Sequence, residues 1–368
     1  MVKKLLAFFK KETVLSVSLL LAALSMLITP PSAEYIGYID FSVLAMLLSL
    51  MSVVGLMKHL GWLSRLSSAL ISRCGSMRKL SLAICLCCFF FAMLVTNDVA
   101  LLTFIPLSIS ALSSAPASVL IYTLSLETVA ANLGSVLTPF GNPQNLYIYT
   151  HYGMSGAELF SAAFPMWAAS LLLVCLAVLP IKNAPVSVKG SEASAKPDKL
   201  RSAAAAALFL CCVLSVLRVV NTYICLALVV LSLVLLDRKA LLEADYSLLL
   251  TFVCFFIFVG NLGASEAVRS AVGSVMAGRE LEMGLLLSQV ISNVPAALML
   301  SCFTDNASAL LRGVDLGGLG TIVASLASLI TLRIYKRETK SGGGKYLLIF
   351  TLMNVAFLLL LYPVVKFI

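Results

Sequence analysis

Two apolar segments of this chain are broken in the same way, and the pair constrains the fold more than any other feature. Residues 132–146 run Asn-Leu-Gly-Ser-Val-Leu-Thr-Pro-Phe-Gly-Asn-Pro-Gln-Asn-Leu, and residues 315–329 run Asp-Leu-Gly-Gly-Leu-Gly-Thr-Ile-Val-Ala-Ser-Leu-Ala-Ser-Leu. Laid together without a gap, they share Leu133/Leu316, Gly134/Gly317, Thr138/Thr321 and Leu146/Leu329. Polar Asn142 falls opposite Ser325, and Asn145 opposite Ser328. Each copy is apolar at both ends and polar, glycine-rich or proline-broken between them. Irregular backbone at membrane depth survives only inside protein or beside water. A matched interruption in the two halves of a membrane chain points to a transporter's binding site.

Composition makes these membrane segments. Hydrophobic residues are 61% of the 368, charged ones 12%, and mean hydropathy is +1.04. A soluble domain would be about 45–50% apolar and roughly 25% charged. Unbroken apolar runs of about 17–25 residues recur, long enough to span a hydrocarbon core and unlike the short alternating strands of a barrel. The class is an all-α polytopic membrane protein. The first run, about 13–29, follows Lys3, Lys4, Lys10 and Lys11. It reads as a retained helix, because no cleavage site is evident and a second span follows at once. The ten cysteines read as small apolar packing residues with free thiols.

Pattern divides the chain into two repeats. Residues 1–181 hold scaffold helices at 13–57, an interfacial helix at 58–79, a hairpin at 80–112, a broken helix at 117–149 and a helix at 161–180. A hydrophilic cytoplasmic linker follows at 182–201. Residues 202–368 hold scaffold helices at 203–263, an interfacial segment at 265–282, a hairpin at 283–311, a broken helix at 314–334 and a helix at 346–365. The hairpin at 80–112 is about 33 residues, too long for one straight span and too short for two with a loop. Its only polar stretch is Thr96-Asn97-Asp98, and the second hairpin carries Ser292-Asn293-Val294-Pro295. Two half-depth arms meeting at a polar tip satisfy both observations. The halves have odd numbers of crossings, so the second repeat sits inverted.

Charge fixes the expected orientation. With a cytoplasmic N-terminus, all but five of the 26 cations fall in cytoplasmic segments, the exceptions being Arg218, Arg269, Arg279, Arg312 and Lys366. Such a bias is the positive-inside rule, and it accounts for the net charge of +9 without nucleic acid.

Asp98, Glu127 and Asp315 are carboxylates inside membrane segments. Such a group costs roughly +2.5 to +3.5 kcal/mol at the bilayer centre, so a function is its default expectation. No Lys or Arg lies between Lys79 and Lys182, nor between Arg279 and Arg312. An anion bound here would rest on amides, hydroxyls and helix N-termini. The carboxylates then call for Na⁺ or H⁺ as a coupling partner, and spacing leaves both open.

At these residues the chain resembles the ion transporter superfamily, which holds divalent anion/sodium symporters, citrate and arsenite permeases and a class of Na⁺/H⁺ antiporters. The motifs are the Thr96-Asn97-Asp98-Val99-Ala100 tip, the Ala131-Asn132-Leu133-Gly134 to Gly141-Asn142-Pro143-Gln144-Asn145 break, and the Ser292-Asn293-Val294-Pro295 tip. The resemblance implies an inverted-repeat fold, a homodimer through scaffold helices, and elevator movement of hairpins with broken helices. It implies one cation site at Asn97 and the 132–142 break (Asn132, Gly134, Thr138, Asn142). The other would lie at Asn293 and the 315–325 break (Asp315, Gly317, Thr321, Ser325). Na⁺ ligands would come from Asn97, Asn132, Asn293 and Asp315. Substrate would lie between the tips, against Thr96, Asn97, Asp98, Asn142, Ser292, Asn293, Val294 and Ser325. Asp98, Glu127 and Asp315 would serve coupling. Where dicarboxylate symporters read Ser-Asn-Thr, these tips read Thr-Asn-Asp and Ser-Asn-Val, and the first is closer to the arsenite-permease branch.

The expected function is a secondary transporter of a small anion, a carboxylate or an inorganic oxyanion. It would sit in the inner membrane with its N-terminus in the cytoplasm, coupled to Na⁺ or H⁺ and needing no other cofactor. Arsenite or antimonite efflux and Na⁺/H⁺ antiport are the rivals. An intramembrane enzyme is disfavoured, since no HExxH and no His beside a nucleophile occurs.

Overall fold

The computed structural model describes residues 12–27, 29–62, 65, 74–185, 198–340 and 343–367. Every regular element among them is a helix. In chain order those of eight residues or more are α1 (Thr13–Ser25), α2 (Phe41–His59), α3 (Met77–Val95), α4 (Asn97–Ala111), α5 (Ala117–Gly134), α6 (Pro143–His151), α7 (Gly156–Ala177) and α8 (Lys199–Val216). There follow α9 (Thr222–Leu236), α10 (Tyr246–Gly263), α11 (Glu266–Met276), α12 (Glu280–Ile291), α13 (Asn293–Leu300), α14 (Ala307–Gly317), α15 (Leu326–Thr339) and α16 (Gly344–Lys366). Among the described residues, seven helices are long and apolar enough to cross a membrane, so the protein is a multi-pass helical membrane protein.

Local chemistry sets the helix starts. Asp40 Oδ1 accepts from Ser42 and Val43 N–H at the head of α2, Asp245 does the same for Leu248 in α10, and Ser155 with Glu158 forms a capping box on α7. The bodies of the long helices α2, α3, α9, α10 and α16 are apolar on all sides, and so are buried or lipid-facing. Leu172, Leu231, Leu352 and Leu359 point outward from α7, α9 and α16, where hydrocarbon would meet them. Cys85 and Cys88, spaced C-x-x-C on α3, are buried free thiols.

Two groups of helices frame the site. In one, α1 lies along α10, and α2 packs on α8 and α9. In the other, α3 lies on α5 and α12 on α14, and α4 meets α15. The α3–α5 and α12–α14 pairs are close because glycine faces backbone. A Cβ on Gly134 would run into the Phe89 carbonyl, and one on Gly313 into the Leu281 carbonyl.

The described boundaries differ from the sequence reading in one informative place. The sequence pattern places the second hairpin over 283–311 and the second broken helix from 314. In the structure a short 3-10 turn ends at Phe303, Thr304 is extended, and Asn306 starts α14 at Ala307. Asn306 Oδ1 accepts from Ala309 N–H at 3.1 Å. The polar run Thr304-Asp305-Asn306 supplies both stop and cap, so the second broken helix begins earlier than its apolar pattern indicates. Residues 63–64 and 66–73 of the expected interfacial helix, 186–197 of the linker, and the N-terminal lysines lie outside the described residues.

Candidate functional site

The two polar tips have the same backbone. Thr96 has φ 78° and ψ 148°, and Ser292 has φ 77° and ψ 154°, a region that favours glycine. Each turns the chain sharply, so that α3 gives way to α4 and α12 to α13. The next amide donates to the facing break: Asn97 N–H to Gly141 O at 3.1 Å, and Asn293 N–H to Ala324 O at 3.0 Å. Thr138 and Thr321 occupy matched positions and do matched work. Thr138 Oγ1 donates to Met93 O at 2.7 Å, and Thr321 Oγ1 to Gln289 O at 2.9 Å. Both hydroxyl protons are therefore engaged in tying a break to a hairpin arm.

The breaks cross-pair. Asn132 lies in the last turn of α5, and its Oδ1 accepts from Asn97 Nδ2 at 3.1 Å and from Ser325 Oγ at 3.0 Å, while its Nδ2 donates to Gly318 O at 3.4 Å. Asp315 is the matching residue of α14. Its Oδ1 accepts from Gln144 Nε2 at 3.2 Å and, at the long limit of 3.5 Å, from Asn142 Nδ2. Asn142 is the counterpart of Ser325, so each half of the chain supplies a donor to the other's broken helix. Asn142 also donates to Ser135 Oγ at 3.1 Å and caps α6 by accepting from Asn145 N–H at 2.8 Å.

These contacts bring together Asn97, Asn132, Asn142, Asp315 and Ser325, all buried. The N-termini of α4, α6, α13 and α15 meet there, with the C-termini of α5 and α14. Positive helix ends favour an anion, and exposed carbonyls at negative ends favour a cation. Asp315 Oδ2 and Ser292 Oγ are buried with no hydrogen-bond partner among the described residues. A buried carboxylate oxygen without a donor is costly, and a small cation or a proton would relieve it. Asn293 is buried beside Gly318, whose Cβ position lies 2.9 Å from Asn293 Nδ2, and Gly317 backs onto Ser288.

Two cavities adjoin the tips. One of about 190 Å³ is lined by Thr96, Asp98 and Asn142 and, across from them, by Lys58, Glu243 and Asp245. Asp98 Oδ1 is buried with no hydrogen bond among the described residues. The second, about 70 Å³, is lined by Val294 and Pro295 and shares Asp245 with the first. Glu127 stands apart. It is fully buried on α5, and its described hydrogen bond joins Oε2 to Ser108 Oγ at 2.8 Å, away from the tip contacts.

Sequence reasoning missed Gln144, Ser135, Gly318 and Gln289 as participants. Gln289 binds the Gly317 and Leu319 carbonyls at 2.9 Å each and accepts from Thr321 N–H at 2.9 Å, lacing the second break to its hairpin. A lone glutamine in an apolar helix was the available signal.

The comparisons with known proteins agree with this architecture. A family model described as a citrate transporter matches residues 5–332. An uncharacterized transporter of Methanocaldococcus jannaschii is 30% identical over 356 residues, 96% of each chain. An inner membrane protein of Escherichia coli is 32% identical over 304 residues, 80% of each. Among solved structures, the fold is similar to that of the YdaH transporter of Alcanivorax borkumensis. The TM-score is 0.53 at 16% identity, over 91% of this chain and 87% of that one. With a family match across most of its length, the chain belongs to the citrate transporter family and is a membrane transporter rather than an enzyme.

Proposed function

We propose that the protein is a secondary transporter that binds a small anion between the Thr96–Asp98 and Ser292–Val294 tips and couples its movement to Na⁺ or H⁺. The observation that carries this reading is the cross-pairing of Asn132 with Ser325 and of Asp315 with Asn142, at the meeting point of four helix N-termini. The N–H groups of Asn97 and Asn293 are used by the breaks, so substrate contacts fall to the hydroxyls of Thr96 and Ser292, the Asn293 amide and the N-terminal turns behind them. The oxygens of Asn132, Gly318 and Asp315 supply hard ligands for the coupling ion. The tips and breaks move as one body against α1, α2 and α8–α10, carrying the site between the two sides in an elevator motion. Two copies associate through those stationary helices. The chain lies in the inner membrane with Lys58 and Arg333 on the cytoplasmic side, which places the two cavities beside the tips in contact with the cytoplasm.

A second reading, efflux of a neutral oxyacid such as arsenite, draws on Asp98. A carboxylate facing the substrate cavity repels an anion but accepts a hydrogen bond from a neutral hydroxide. Purified protein reconstituted into liposomes tests both. The lead reading expects citrate or another small anion to accumulate under an imposed Na⁺ or H⁺ gradient, with counterflow. Absence of anion movement under either gradient would sink it, and gradient-dependent arsenite flux in its place would establish the second.

A further inference from the structure

We propose that Arg218 is a latch that holds the broken helix α6 against the stationary helices and keeps the site open toward Lys58. It is a positioning residue for transport, and the proposal rests on the alternating-access reading above. Arg218 lies in the short connection between α8 and α9, one of the few cations that charge asymmetry does not explain. Its backbone has φ 63°, the left-handed conformation that usually selects glycine after a helix, so the chain keeps an arginine where a smaller residue would be easier. The guanidinium reaches across to the far end of α6. Nη2 donates to Tyr149 O at 2.9 Å, Nη1 donates to Gly153 O at 3.0 Å, and the group sits 5.1 Å over the Tyr149 ring. A cation at a helix C-terminus satisfies its carbonyls and complements its dipole.

The helix so held is the one whose other end builds the site. Asn142 caps α6 and Gln144 follows in its first turn, and both point at Asp315. A nine-residue helix is a stiff rod of about 13 Å, so fixing its tail fixes where those amides lie. The tail is also tied sideways. Tyr152 OH donates to Ser301 O and Thr304 O at 2.9 Å, and Tyr147 OH lies 2.7 Å from Ser301 Oγ.

Arg218 and the tip cavity lie at opposite ends of α2. Ser42 and Met46, near its start, line the space beside Arg218, whereas Lys58, near its end, lines the cavity with Thr96 and Asp98. The space beside Arg218 includes no tip residue. The molecule is thus fastened at one end and open to the tips at the other. Reversal requires the two carbonyl bonds of Arg218 to break.

The test reads sidedness. Leu102 lines the tip cavity, and Leu102→Cys is alkylated with a membrane-impermeant maleimide from either face of oriented vesicles, with the chain lacking this substitution as blank. Labelling should favour the Lys58 face. Arg218→Ala should shift the ratio of the two rates toward the opposite face by about tenfold, within the range of couplings between conformational states. Arg218→Lys should shift it less, since lysine keeps the charge but not the fork. Thr150 and Val220 line the space beside Arg218, and a short bifunctional thiol reagent joining Thr150→Cys to Val220→Cys should restore Lys58-face labelling in Arg218→Ala. An unchanged ratio in Arg218→Ala, or no restoration by the cross-link, overturns the latch. Equal labelling from both faces with Arg218 intact would overturn the alternating-access reading itself, and the latch with it.

Discussion

Asp315→Asn separates the role of this residue in the fold from its role in ion binding. Its Oδ1 takes the amides of Gln144 and Asn142, while Oδ2 has no partner among the described residues. Asparagine keeps an acceptor of the same shape for the two amides and removes a buried charge. The cost to the fold should therefore be small, within about 1 kcal/mol, whereas Asp315→Leu would strand both donors at roughly 1–3 kcal/mol each. The ion linkage behaves differently. A cation that binds only the folded state stabilises it by RT ln(1 + [L]/Kd), about 2.7 kcal/mol at a hundredfold excess. With Asp315 as the anionic ligand, Asp315→Asn should melt within about 1 kcal/mol of the parent in choline chloride yet lose the whole increment that NaCl gives the parent. The assay is thermal melting of detergent-purified protein in the two salts at equal ionic strength, with Asn97→Ala and Asn293→Ala alongside. An undiminished NaCl increment in Asp315→Asn would refute the assignment. A loss of about 3 kcal/mol in both salts would refute the premise that asparagine serves the same amides.

Three further outcomes follow from geometry. Gly134→Ala drives a methyl into the Phe89 carbonyl and should cost about 1–3 kcal/mol in melting experiments, while Gly156→Ala, which meets nothing within 4 Å, should be nearly neutral. Thr96→Gly and Ser292→Gly relax a backbone strained by about 1–3 kcal/mol each and should raise the melting temperature while slowing transport; a fall in melting temperature would show that the side chains outweigh the strain. Acid should loosen the end of α2 through Asp237. Burial works to raise its carboxyl, but the hydrogen bond from His59 and the Ala240 and Lys239 N–H groups outweigh it and hold it below its ordinary value of 3.8. Its stabilisation is therefore present above pH 3.8 and lost as pH falls through the depressed value. Asp237→Asn should flatten melting temperature against pH in that window, and an unaltered slope would count against this role.

The membrane class was legible in the sequence because apolar runs need no partner to declare themselves. The tips were legible for a related reason: Thr96-Asn97-Asp98 and Ser292-Asn293-Val294 are polar interruptions in apolar surroundings, and helices do end and begin there. The start of α14 was not legible from its apolar pattern, which begins later than the helix does; the cap Asn306 marks it instead. The cross-pairing was not legible. Aligning the breaks puts Asn132 with Asp315 and Asn142 with Ser325, but the contacts run diagonally between those pairs, and a one-dimensional alignment contains no diagonal. Arg218 was visible as an exception to charge asymmetry, yet its partners are main-chain carbonyls, which no side-chain pattern announces.

The diagonal contacts also bear on how the molecule is made. Asn132 and Asn142 leave the ribosome roughly 180 residues before the chain that holds Ser325 and Asp315, about ten seconds or more at ordinary synthesis rates. During that interval the first half resides in the bilayer with its own contacts among Asn97, Asn132, Ser135 and Asn142 but without their second-half partners, and the site can close only when residues 315–325 arrive. Arrival of Asp315 and Ser325, rather than local folding of the first half, is the event that seals it. A product truncated before Asp315 would keep its polar groups open to membrane quality control.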